Sequence, residues 1–119
     1  MSNYHEPVEL LSEKAKNITR AINSLREELE AVDWYNQRVE ASDDEELKQI
    51  MAHNRDEEIE HACMTIEWLR RNMDKWDEEL KTYLFTDQPI IEAEEGGEAG
   101  AEASGGKPPS TGLNIGKLK

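Results

Sequence analysis
The chain has 119 residues, enough for one domain, and its 27 acidic against 14 basic side chains leave a net charge of −13. So acidic a chain repels nucleic acid and anionic membranes and attracts cations, although solubility alone would also account for the charge. A single cysteine, Cys63, excludes an intrachain disulfide and fits a reducing cytosol. The start, MSNYHEPVEL, lacks the basic-then-apolar pattern of a signal peptide, and no stretch approaches the roughly 20 apolar residues that span a bilayer.

In chain order, Pro7 suits the first turn of a helix. Val8, Leu11, Ala15, Ile18, Ile22, Leu25, Leu29 and Val32 then recur at steps of three and four, which predicts a long helix running to about Val39. Ser42-Asp43-Asp44-Glu45 reads as a capping box with Ser42 at the N-cap. A second helix is expected from about Asp43 to Arg71 or beyond. Asn72-Met73-Asp74 either breaks it, leaving a short third helix over residues 74–84, or lies within one continuous helix. No strand pattern is present in residues 1–86, which contain no glycine.

Residues 87–111 change character. Gly, Ala, Ser, Pro and Glu dominate, and such a stretch buries too little surface to offset its ordering entropy. It reads as a flexible acidic linker. Residues 112–119, ending LNIGKLK, are apolar and basic: Leu113 and Ile115 alternate as in an extended segment that docks into pockets, with Leu118 following.

The fold class expected is therefore all-α: an antiparallel two-helix hairpin over residues 1–86 with a short C-terminal helix. Two long helices expose an apolar face that they cannot cover alone, and a two-fold dimer would complete a four-helix bundle.

On a helical wheel of roughly 100° per residue, Glu58 falls amid Leu47, Met51, Ala62, Thr65 and Leu69, the face expected to be covered. A carboxylate buried there needs a cation or a proton. Glu58 and His61 form a Glu-x-x-His motif, whose spacing brings a carboxylate and an imidazole together, as iron- and manganese-binding helical bundles require. This donor set suits Fe(II), with Zn(II) also compatible. In a chain so rich in Glu the motif arises easily by chance; its place on the apolar face gives it weight. Glu28 stands at the edge of the first helix's stripe, either as a third ligand or as a side chain reaching water. One Glu28 and one Glu58-x-x-His61 per chain, doubled in a dimer, give four carboxylates that balance two divalent irons.

Residues 26–38 (REELEAVDWYNQR), 53–62 (HNRDEEIEHA) and 67–72 (EWLRRN) resemble the encapsulated ferritins. The resemblance covers most of residues 5–86 and resumes at the tail. It implies a ferritin-like four-helix bundle completed by dimerisation, in a ring of five dimers. It also implies a ferroxidase that oxidises Fe(II) with O₂ at a di-iron centre, two irons per dimer, with Glu28, Glu58 and His61 as ligands. Trp34 and Tyr35 would flank the centre; core packing is the other reading of both. Glu27 and Glu30 match an iron entry site, and His53, Glu57 and Glu60 an auxiliary one. A solvated acidic face would explain the same residues. The tail resembles an encapsulin cargo-loading peptide, which implies a cytoplasmic protein carried inside an encapsulin nanocompartment. The alternative is a non-enzymatic metal-binding or structural helical oligomer carried as shell cargo.

Overall fold
A computed structural model describes residues 4–94. The tail expected to carry the loading peptide, and the linker beyond residue 94, lie outside the described residues. Among the described residues the structure is entirely helical: a 3₁₀ turn at Val8–Leu10, then α1 (Glu13–Ala41), α2 (Glu45–Asn72) and α3 (Asp74–Tyr83). No described helix is long and apolar enough to cross a membrane. The chain divides into two compact units, the first ending at Leu69 and the second beginning at Arg70.

The first unit is the helical hairpin. α1 starts later than the apolar stripe suggests. Pro7 opens only the single 3₁₀ turn, Leu11 is extended, and the Ser12 side chain accepts the N–H of Ala15 at 3.0 Å. Ser12 is thus the N-cap that satisfies an otherwise orphaned donor. Val8 and Leu11 share the spacing of the stripe but not its helix.

The turn differs from the expected capping box as well. α1 runs on to Ala41, and the Ser42 N–H closes it on the Arg38 carbonyl. Ser42 is therefore used at the end of α1. The N-cap of α2 is Asp44, whose Oδ1 accepts the Leu47 N–H at 2.9 Å, while the Ser42 hydroxyl accepts the Asp44 N–H at 3.3 Å. A carboxylate at this position also meets the positive end of the helix dipole, as do Glu45 and Glu46 in the first turn.

Two hydrogen bonds between the helices fix their antiparallel register. Arg55 donates from Nη1 to Asn36 Oδ1 at 3.0 Å, and the Thr65 hydroxyl donates to Glu28 Oε1 at 3.1 Å. Later residues of α2 thus meet earlier residues of α1. The hairpin covers little of its own apolar surface. Ala62 and Leu69 are its buried hydrophobic residues among those described, and Leu69 is 0% exposed. Leu29, Trp34, Leu47, Ile50, Ile59 and Met64 are exposed. This much open apolar area agrees with the expectation that two long helices cannot cover their own apolar face.

The second unit begins at Arg70, in the last turn of α2, and contains the break between α2 and α3. Met73 is extended (φ −142°, ψ 113°) and its carbonyl receives the N–H of Trp76 at 3.0 Å. The long second helix is thus interrupted, which resolves the choice left open at Asn72. Asp77 of α3 accepts a hydrogen bond from Arg70 and pairs with Lys81 one turn on at 3.1 Å. The Arg70 bond, more than the nearby Lys81, holds the Asp77 carboxyl below the usual carboxylate range, against a smaller opposing effect of burial. Lys75 lies between Glu78 (2.5 Å) and Glu79 (2.9 Å), which raise its pKa above the ordinary lysine value. Phe85 ends this stretch in the left-handed region (φ 61°), where glycine is commoner but the preceding residues have none. Residues 90–94, at the start of the segment expected as a linker, are helical, and Ala93 is buried.

Candidate metal centre
Glu58 and His61 stand one turn apart on α2, with His61 Nδ1 3.6 Å from Glu58 Oε1. Their side chains are 29% and 48% exposed for Glu58 and His61 respectively, so the pair sits at the open surface of the hairpin. Helical spacing brings Thr65 onto the same face, one turn past His61. The Thr65 Oγ1 lies 3.2 Å from the His61 carbonyl oxygen as well as 3.1 Å from Glu28. Glu28, half-buried on α1, is thereby drawn to the face of α2 that carries Glu58 and His61.

The three ligands expected from sequence are thus arrayed on facing sides of one hairpin, but they do not converge. Among the described residues no three His, Cys, Asp or Glu side chains gather closely enough to hold a metal ion. The donor chemistry nevertheless fits a hard divalent cation. Glu58 offers carboxylate oxygens and His61 an imidazole nitrogen from a rigid helix, and Glu28 keeps its second oxygen outside the Thr65 hydrogen bond.

The remaining candidates fall into four places. Tyr35 is half-buried, and the Arg38 guanidinium lies over its ring at 5.2 Å. Among the described residues its hydroxyl makes no hydrogen bond to Glu28. Trp34 is exposed and lines a shallow depression with Gln37, Arg38 and Ala41 at the turn end of α1. Glu27 and Glu30 are exposed on α1, one turn apart. On α2 His53 Nε2 lies 3.4 Å from Glu57 Oε2, while Glu60 is exposed one turn further along.

Sequence reasoning placed Thr65 on the apolar face without giving it a part in the site. The signal available was a hydroxyl four residues past His61 and seven past Glu58, a polar group on an otherwise apolar stripe. Its link to Glu28 depends on the register between helices, which wheels do not supply.

A two-helix hairpin with an uncovered apolar face, carrying carboxylates and an imidazole on that half-open surface, is a ferritin-like helical fold. The chain belongs to the EncFtn-like family, whose sequence pattern matches residues 3–87. It is 59% identical over 103 residues to the "Ferritin-like protein" of Thermotoga maritima, covering 87% of this chain and 90% of that one. It is 64% identical over 102 residues to the "Encapsulated ferritin-like protein" of Rhodospirillum rubrum, covering 86% of this chain and 72% of that one. A Nitrosomonas europaea protein of known crystal structure superposes with a TM-score of 0.72 at 61% identity, over 75% of this chain and 99% of that chain.

Proposed function
We propose that the chain is a ferroxidase subunit that takes Fe(II) as substrate, oxidises it with O₂ and delivers Fe(III) for storage inside an encapsulin shell. One observation carries the reading. Glu58 and His61 lie 3.6 Å apart on a half-open apolar face, with Glu28 tied toward them across the hairpin, and the ligand set is incomplete within one chain. A second copy, related by a two-fold axis, supplies the missing half. Four carboxylates then neutralise two divalent irons, with one imidazole from each chain. Each iron gives one electron to O₂, while the protein provides spacing, charge balance and access.

The other candidate residues take supporting parts in this reading. Glu27 and Glu30 form an exposed acidic approach on α1, and His53, Glu57 and Glu60 a second group on α2 that binds metal weakly. Tyr35 and Trp34 flank the ligands. Dimers close into a ring of five, and residues 112–119 dock the ring on the shell, consistent with a relative named for encapsulation. A cytoplasmic compartment follows from that cargo role.

The test is oxygen consumption after Fe(II) is added to the full chain, followed together with ferric absorbance. Glu58→Ala and His61→Ala each remove two ligands from the doubled site and should abolish rapid oxidation. Near-normal turnover by His61→Ala would overturn the ligand assignment. Fe(II) binding without oxygen uptake by the unaltered protein would make it a metal carrier instead.

A further inference from the structure
We infer that Thr65 is a positioning residue for Glu28, setting the ligand of α1 from the turn of α2 that carries His61. The inference rests on the metal-site reading above. Its basis is one hydroxyl between two elements of the site: Thr65 Oγ1 is 3.1 Å from Glu28 Oε1 and 3.2 Å from the carbonyl oxygen of His61.

The single hydroxyl hydrogen serves one acceptor at a time. A carboxylate is the stronger acceptor, so Glu28 takes it in the geometry observed. The nearby His61 carbonyl offers the hydroxyl a second partner in the same rotamer. Threonine in a helix divides between two χ1 wells because of this back-bond, and the observed arrangement selects the well that also reaches Glu28. Thr65 Oγ1 stands on the helical turn that follows His61, with either acceptor in reach.

The consequence falls on Glu28. A glutamate side chain has three rotatable bonds, and immobilising such a flexible side chain costs rotamer freedom. A hydrogen bond to Oε1 meets part of that cost before metal arrives and leaves Oε2 as a donor atom. It also ties the ligand of α1 to the register of α2. The two helices then present their donors as one preset surface to the second copy. Groups that orient metal ligands in this way typically account for a 10–100-fold effect on metal affinity.

A purely local role for Thr65, as a helical back-bond to His61, would affect the hairpin but would not depend on Glu28. The experiment separates the two. Zn(II), which is redox-inert, is titrated calorimetrically into the full chain, its Thr65→Val and Thr65→Ser variants, Glu28→Ala, and the Glu28→Ala/Thr65→Val double variant. Thermal melting of each metal-free protein is recorded beside it. Thr65→Val keeps the side-chain shape and removes the hydroxyl, so it should weaken Zn(II) binding by about 10–100-fold. Thr65→Ser should restore binding. In the Glu28→Ala background the valine should cost nothing more, because the residue it positions is gone. Wild-type affinity in Thr65→Val, or the same valine penalty without Glu28, would overturn this inference alone. Failure of Thr65→Ser to restore binding while the metal-free protein melts normally would do the same. Absence of Zn(II) binding by the unaltered protein would overturn the metal-site reading and this inference with it.

Discussion

Metal should drive two copies of the chain together. Each protomer carries one Glu28, one Glu58 and one His61, and no three ligands converge within it among the described residues. In the proposed site metal would bind tightly only to the associated form, which would gain the binding energy by mass action. At free metal a hundredfold above its dissociation constant, one shared ion stabilises the dimer by about 2.7 kcal/mol, and two independent ions by about 5.4 kcal/mol. The second figure corresponds to roughly a 10⁴-fold lower dimer dissociation constant. Sedimentation velocity and native mass spectrometry of the full chain, with and without anaerobic Fe(II), measure the shift. A net charge of −13 means that any divalent ion relieves some self-repulsion. Mg(II) at equal ionic strength is the control for that effect. The expectation is a large shift with Fe(II), a small one with Mg(II), and an Fe(II) response in His61→Ala reduced to the Mg(II) level. A metal-loaded monomer as stable as the oligomer, or an undiminished Fe(II) response in His61→Ala, would refute the reasoning.

Two further outcomes are expected, one from the hairpin and one from α3. Leu69 is 0% exposed, so Leu69→Ala should cost about 2–5 kcal/mol, read as a lower denaturation midpoint in urea. Asp77 has a folded-state pKa below its unfolded value of about 3.9, so its stabilising contribution is present above that pH and lost as the pH falls through the folded pKa. Melting curves between pH 6 and pH 2 should therefore show a smaller acid-side loss in Asp77→Asn than in the unaltered chain, and parallel curves would contradict the Arg70–Asp77 assignment.

Much of this architecture is legible in the sequence because helices announce themselves locally. The apolar stripe of α1, the absence of glycine before residue 87 and the polar break at Asn72-Met73-Asp74 each act over one or two turns. The errors lie where neighbouring signals compete. Ser42 and Asp44 are both good N-caps, and the choice fell to Asp44 once α1 extended to Ala41 and used Ser42 to close its last turn. Likewise Val8 and Leu11 continue the stripe, but Ser12 starts the helix after them. The candidate site was legible as residue types on faces, namely Glu58 with His61 on one helix and Glu28 on the other. What wheels omit is the register between helices, and the Thr65–Glu28 bond is a product of register. Tyr35 shows the converse: two turns from Glu28 on the same face, its ring lies under the guanidinium of Arg38, a neighbour one turn away.

The candidate ligands Glu58 and Glu28 stand only partly covered in the single hairpin. Glu58 costs little in the separate hairpin, because a carboxylate at 29% exposure is still reached by water. Covering the apolar face with a second copy would remove that water from Glu58 and Glu28 and bring four like charges together, a cost of several kcal/mol per ion before any pairing. The same closure would bury Leu47, which shares that face of α2 and would favour association by up to about 1.5–3 kcal/mol when fully covered. In such a dimer the two effects would oppose each other without metal and would act together once divalent cations neutralised the carboxylates. In the proposed dimer the apolar face would supply affinity, while the carboxylates would make that affinity conditional on metal. In the proposed ferroxidase this coupling would let closure of the bundle and completion of the iron site occur as a single event.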